Sequence, residues 1–141
     1  MLEQAQHQLT ISTQRRGFTD LTPMVGRWLA GIGAGEGLLT IFIAHTSASL
    51  TIQENADPDV LRDLGDAFDA LAPRSRPYHH RTEGADDMPA HIRAMLTATS
   101  LGVPVISGAA VLGTWQAIYL IEHREAGRSR KVYLHYIGTS R

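Results

Sequence analysis

Seven histidines occur among 141 residues, and His45, His80 and His91 each fall where the hydrophobic pattern passes from one element to the next. Side chains at the ends of elements can converge on a shared cleft. Three neutral imidazoles with an open fourth position make a catalytic site for a divalent metal, most often zinc. The chain has no HxH pair and no HExxH, so spacing alone leaves two readings open. Either these rings share a metal, or each is satisfied separately by hydrogen bonds and solvent. Glu83, Asp86 and Asp87 lie within seven residues of His80 and just ahead of His91. Carboxylates in that position can bind Mg²⁺ through oxygen, orient an imidazole from behind, or act as a general base. Acids ahead of a helix N-terminus also satisfy the helix dipole.

Two further stretches carry potential chemistry. Arg124, Arg128, Arg130 and Lys131 cluster against a single nearby acid, Glu125, a pattern that suits phosphate or pyrophosphate or forms an exposed arginine hairpin. Gly113-Thr114-Trp115-Gln116 brings a tight turn, an indole and an amide to the mouth of a strand. Thr46, Ser47 and Ser49 lack the GxSxG context of a serine hydrolase. Thirteen basic against fourteen acidic residues give a net charge of -1, which removes the basic footprint of a nucleic-acid binder. The absence of cysteine excludes disulfides, thiolate zinc and cysteine nucleophiles. No apolar run reaches membrane-spanning length, and the polar start, Met1 to His7, has no apolar leader. These features lead us to expect a soluble cytoplasmic protein with no nucleic-acid or membrane partner.

The elements that must position these groups follow from periodicity. Leu9, Ile11 and Thr13 alternate with polar residues, which predicts a half-buried strand over His7 to Gln14. Thr22-Pro23 predicts a helix start, with Thr22 as N-cap and an apolar face of Met24, Val25, Trp28, Leu29 and Ile32. The alternate glycines Gly31, Gly33, Gly35 and Gly37 are expected to end it. Leu38 to Ala44 reads as a strand buried on both faces, with Leu50 to Glu54 as its successor. Asp57-Pro58-Asp59 opens a second helix whose stripe is Val60, Leu61, Leu64, Phe68 and Leu71. Arg74 to Asp87 is a long polar stretch without periodicity, of a length that compact domains keep for function or leave disordered. Pro89 to about Thr99 predicts a third helix, and Val103 to Ser107, Ala117 to Glu122 and Lys131 to Ile137 three more strands. One α+β domain over residues 1–141 results, with a mixed or antiparallel sheet and about three helices.

Five ordered blocks resemble the YjbQ-like family, which carries the label secondary thiamine-phosphate synthase. They are His45-Thr46-Ser47-Ala48 running into Glu54-Asn55-Ala56-Asp57-Pro58, then Tyr78-x-His80 with Glu83-Gly84-x-Asp86-Asp87-Met88-Pro89-x-His91, then Gly113-Thr114-Trp115-Gln116, then Glu122-His123-Arg124. Together they cover about residues 38 to 133. Ala117 departs from the family, whose members place glycine there. The resemblance implies a compact α+β homotrimer with a cleft that gathers histidines and acids. It implies His45, His80 and His91 as ligands of a divalent metal (Mg or Zn), and His45, His91, Glu83, Asp86 and Glu122 as the catalytic group. Asn55, Thr114, Gln116 and Arg124 become substrate-binding residues. The implied reaction joins hydroxymethylpyrimidine diphosphate to thiazole phosphate with release of pyrophosphate, so the expected partners are small phosphorylated substrates. The alternatives are a module that binds a metal or phospholigand without turnover, and a metal-dependent phosphate-ester hydrolase.

Overall fold

The computed structural model describes residues 1–141. In chain order the elements are Glu3–Ser12 (β1), Arg15–Asp20 (β2), Thr22–Gly31 (α1), Ala34–Ile43 (β3), Ala48–Glu54 (β4), Pro58–Leu71 (α2), Asp87–Leu96 (α3), Ser100–Ile106 (β5), Ala109–Ala110 (β6), Gln116–Ala126 (β7) and Ser129–Ser140 (β8). The strands form two antiparallel sheets, one ordered β1-β8-β3-β5-β6 and the other β2-β7-β4. The expected α+β architecture with three helices is what the chain adopts. No helix is long and apolar enough to cross a membrane.

The core lies between the sheets. Leu39, Ile41 and Ile43 of β3 and Val132, Leu134 and Tyr136 of β8 meet Leu50 of β4, Ile118 and Leu120 of β7, and Leu21, Val25 and Leu29 at α1. Period-2 alternation delivers these side chains to one face of each strand, and the spacing of three and four does the same for α1. β7 is buried on both faces from Ala117 to His123. Ile118 and Leu120 fill the core, while Tyr119 and His123 on the opposite face meet Phe18 and Phe68 edge-on at 5.8 and 5.3 Å. A strand enclosed on both sides offers a rigid base for whatever its end carries.

Several boundaries differ from the periodicity. β2 and the two-residue β6 are additional strands, too short or too polar to show alternation. Thr22 is the first helical residue rather than the N-cap, which is Leu21, and its hydroxyl accepts the Ile118 N–H at 2.8 Å instead. Of the glycine run, Gly35 and Gly37 belong to β3 rather than to the end of α1. A Cβ at Gly37 would overlap the Ile137 carbonyl oxygen, so glycine permits an unusually close approach of β3 to β8. α3 begins two residues before Pro89, at Asp87, and ends at Leu96.

The two sheets are joined at one corner, where β7 passes into β8 through Gly127 and Arg128. Thr13 N–H donates to the Arg128 carbonyl at 2.9 Å, and Arg128 N–H returns a bond to Thr13 Oγ1 at 2.9 Å. Gly127 lies so close to Thr13 that a Cβ would overlap the Thr13 carbonyl oxygen, and neighbouring backbone leaves it no room to move. Gly127→Ala is therefore expected to destabilise the fold by about 1–3 kcal/mol, the usual cost of overpacking. Urea unfolding of the two proteins measures it, and an unchanged midpoint would show that the corner can open without penalty.

Candidate metal and anion site

The site starts from the corner. Glu122 on β7 and Arg130 on β8 are 1% and 3% exposed. Arg130 Nε donates to Glu122 Oε1 at 2.8 Å and its Nη2 to Glu122 Oε2. Thr13 Oγ1 donates to Oε1 at 2.7 Å and Arg124 N–H to Oε2 at 3.0 Å. Burial alone would raise the Glu122 carboxyl, but Arg130 and these hydrogen bonds outweigh it and hold the group below the ordinary carboxylate range. The Arg124 backbone is thereby fixed where β7 leaves the core.

The Arg124 guanidinium reaches across to the start of α3. Its Nε donates to Asp86 Oδ2 at 3.0 Å and its Nη1 to Asp87 Oδ1 at 2.7 Å. Nη2 donates to the Glu83 carbonyl at 3.0 Å and to Asp86 Oδ1 at 3.3 Å. Hydrogen bonding to Asp86, together with the charges of both aspartates, raises Arg124 above its ordinary value despite partial burial. Asp86 also accepts the Glu125 N–H at 2.9 Å. Every nitrogen of the guanidinium is engaged within the protein, so Arg124 acts as a clamp on two carboxylates.

Asp87 is the centre of the arrangement. It is 2% exposed, and its Oδ2 stands 2.7 Å from His80 Nε2 and 3.0 Å from His91 Nε2. Burial would raise its carboxyl, but His80, His91 and Arg124 more than compensate and lower it. Asp87 and His91 are neighbours on one face of α3 because they are four residues apart. His80 comes from the long polar segment and remains partly exposed. The candidate ligand atoms of His80, Asp87 and His91 all lie within 4.8 Å of one another.

The hydrogen bonds also fix how His91 is used. Its Nδ1 stands 2.9 Å from the Thr46 carbonyl oxygen, which can only accept, so Nδ1 carries a proton. In the neutral ring Nε2 then presents a lone pair to a carboxylate oxygen that also faces His80. Two acceptors at 3.0 Å are compatible only with a second proton or a cation between them. A backbone carbonyl behind a histidine, which sets its tautomer, and an arginine behind a carboxylate are the supports that metal ligands require.

The other residues singled out in the sequence are placed as follows. Glu83 sits at the rim with Oε2 3.7 Å from His80 Nε2. His45 is outside the cluster: its Nε2 accepts the Lys131 N–H at 2.8 Å and its Nδ1 faces Arg130 Nη1 at 3.3 Å. Burial and the neighbouring cations lower its pKa, although Glu122 acts in the opposite sense. Glu122 belongs to the corner, not to the cluster. Asn55, Thr114 and Gln116 lie at the far end of β7, where Asn55 N–H donates to the Trp115 carbonyl at 2.9 Å and Gln116 Oε1 accepts the Gly113 N–H at 2.7 Å. Eight residues of extended strand separate Gln116 from Arg124, which is roughly 26 Å at about 3.3 Å per residue. The chain by itself therefore does not bring those polar groups to the histidines.

Asp87 was one of three acids visible ahead of His91, and only the earlier start of α3 distinguishes it from Asp86. The buried His123 is a further group whose role spacing did not reveal. Its Nε2 is 2.8 Å from Ser49 Oγ, and burial followed by the charge of Arg93 lowers its pKa to about 3.

The sequence profile described as UPF0047 protein YjbQ-like matches residues 7–139. A UPF0047 protein of Synechocystis is 48% identical over 136 residues, covering 94% of this chain and 92% of that one. The UPF0047 protein YjbQ of Salmonella typhimurium is 44% identical over 128 residues, covering 90% and 93%. Among solved structures, an uncharacterised YjbQ/UPF0047 family protein of Clostridium acetobutylicum superimposes with a TM-score of 0.84 at 36% identity, covering 91% of this chain and 97% of its own. A protein of unknown function from Sulfolobus solfataricus has a TM-score of 0.90 at 24% identity, covering 99% and 100%, and shows the shared fold.

The buried ionisable groups predict an acid-labile fold. His123 stays neutral when folded, so the unfolded chain takes up a proton first, near its ordinary value of 6.5. Stability is then full above pH 6.5 and falls as the pH drops toward 3, with His45 acting in the same direction and Glu122 joining below about 4.5. The expected slope is roughly one kcal/mol or somewhat more per pH unit. Urea unfolding at pH 7.5, 6 and 5 checks this, and a flat response would show that His123 titrates normally.

Proposed function

The chain belongs to the YjbQ-like UPF0047 family, and we propose that it is a divalent-metal-dependent enzyme acting on small phosphorylated substrates. The reaction we assign is that of a thiamine-phosphate synthase: the methylene carbon of the hydroxymethylpyrimidine loses its C–O bond to pyrophosphate, which leaves with the electron pair, and gains a C–N bond from the thiazole nitrogen. The observation that carries the reading is the convergence of His80, Asp87 and His91, with His91 Nδ1 committed to the Thr46 carbonyl. This donor set, two imidazole nitrogens and one carboxylate oxygen, fits Zn²⁺ better than Mg²⁺, which favours oxygen. His80, Asp87 and His91 would hold the ion, and a bound divalent ion supplies positive charge for a leaving pyrophosphate. Arg124 keeps Asp87 ionised and aimed, and the Thr46 carbonyl holds the His91 ring in one tautomer. His80, whose side chain is partly exposed, would place the ion at the open edge, within reach of a ligand that enters there.

We also propose the homotrimer. Leu38 pairs with Ile137 and Phe42 with Tyr133 across β3 and β8, and all four side chains are exposed on the outer face of the larger sheet. Two exposed apolar pairs on an open sheet face, with Thr40 and His135 between them, form a surface that a second copy would cover. Assembly is also the route by which Asn55, Thr114 and Gln116 would reach the histidines of a neighbour. Light scattering at micromolar concentration should give three times the chain mass, and a monomer would count against any shared site.

Chelator-treated protein should bind one Zn²⁺ per chain. His91→Ala and His80→Ala should each weaken binding at least tenfold while leaving the unfolding midpoint within a few degrees. The wild type should form thiamine phosphate from the two half-substrates over many turnovers, and His91→Ala should lose at least tenfold, about 1.4 kcal/mol of barrier. Metal binding without turnover of any phosphorylated substrate would make the protein a binding module. Phosphate release from unrelated esters would make it a hydrolase.

A further inference from the structure

The segment between α2 and α3 forms the walls of two adjoining cavities beside the cluster. One, of about 230 Å³, is lined by Arg74, Arg76, Tyr78, His80 and Arg81 among others. The other, of about 450 Å³, is lined by Arg76, Tyr78 and His80 again, with Pro77, Met88 and Ile92 supplying its apolar wall. His80 is therefore common to both cavities and to the cluster with Asp87 and His91.

The arginines in these walls differ in their commitments. Arg74 is paired with both oxygens of Glu125, at 2.7 and 2.8 Å. Arg76 and Arg81 have no carboxylate or carbonyl partner for their guanidinium groups, and both are exposed. Arg124, the arginine that the sequence offered for phosphate, is fully engaged with Asp86, Asp87 and the Glu83 carbonyl. The segment itself is pinned: Tyr78 Oη donates to the Pro73 carbonyl at 2.7 Å, His80 meets Asp87, and Arg74 meets Glu125. Two unpaired guanidiniums on a pinned segment have donors to spare in the fork geometry that matches phosphate oxygens.

We infer that Arg76 and Arg81 are the anion-binding residues of this site, taking a phosphate or pyrophosphate group. The rest of the substrate is an apolar, ring-sized body that lies against Pro77, Met88 and Ile92 in the adjoining cavity. A volume of about 450 Å³ is in the range that small-molecule sites use. His80 then stands at the junction between the anionic and apolar parts, beside the bond that joins them. The inference rests on the metal-enzyme reading only for what happens to the ligand once bound.

Calorimetry on the chelator-treated full chain tests it with inorganic phosphate, pyrophosphate and phenyl phosphate. Wild-type protein should bind pyrophosphate, and phenyl phosphate more tightly than inorganic phosphate. The double variant R76Q/R81Q should weaken all three at least tenfold while keeping its unfolding midpoint and its Zn²⁺ affinity. R27Q, which removes a single positive charge from the groove between α1 and β1, should bind as wild type does. Unchanged binding in the double variant, equal weakening in R27Q, or no binding to wild type would each overturn the proposal. Phenyl phosphate no tighter than inorganic phosphate would overturn its apolar half. Anion binding through these arginines in a protein that takes up no metal would leave this inference standing and remove the metal reading. Metal uptake without anion binding would do the reverse.

Discussion

Burying Glu122 and Arg130 together removes two charges from water at the joint between the sheets, and either one alone would cost several kcal/mol there. The pair is tolerated because Thr13, Ser47 and the Arg124 N–H occupy its remaining hydrogen-bonding positions. Those bonds tie β1, β7, β8 and the start of β4 to one point. The end of β7 consequently leaves the core in a single direction, and Arg124 is carried with it. Arg124 in turn bridges Asp86 and Asp87 and offsets the repulsion between two carboxylates side by side at the start of α3. Asp87 then gathers His80 and His91. The site is the outermost member of a series of charge compensations that begins inside the protein.

That dependence explains what periodicity could and could not reveal. The spacing of Val25 and Leu29 is a local property and carries α1 into the core. The apolar run from Leu38 to Ala44, by contrast, reads as buried on both faces, although Leu38 and Phe42 are exposed and only Leu39, Ile41 and Ile43 face the core. β2 escaped because Arg15–Asp20 is half-exposed beside α2 and carries no clean alternation. Gly35 and Gly37 read as a helix end because glycine signals a break, whereas here it signals close approach of two backbones. Leu21 capped α1 in place of Thr22 because the Thr22 hydroxyl had a tertiary partner in Ile118 N–H, and such partners are invisible in a local window.

The same limit governed the site. His80 and His91 stood out as histidines at element ends, and the structure brings them together. His45 stood out equally, yet its ring turns to Lys131 and Arg130, one residue away from the Thr46 carbonyl that serves His91. The chain bends at Thr46 and Ser47, so the Thr46 carbonyl faces His91 while the His45 ring stays with β8. Asp87 could be separated from Asp86 only by knowing where α3 starts. Two residues of boundary decide which aspartate shares a helical face with His91.

The charges around the cluster argue for a division of labour that no single residue reveals. Asp86 and Asp87 exceed Arg124 by one negative charge, and Glu83 at the rim adds another. Arg74 and Glu125 cancel each other. A divalent cation at His80, Asp87 and His91 would balance the acids, and Arg76 and Arg81 would then be the uncompensated charge of the region. A site organised this way would attract an anion toward Arg76 and Arg81, which line the cavity that His80 also lines. Had Arg124 been the anion-binding residue, each bound phosphate would have competed with two aspartates for it and loosened the ligand set. Keeping the clamp and the proposed anion receptor on different arginines would let His80, Asp87 and His91 stay ordered while an anion exchanged.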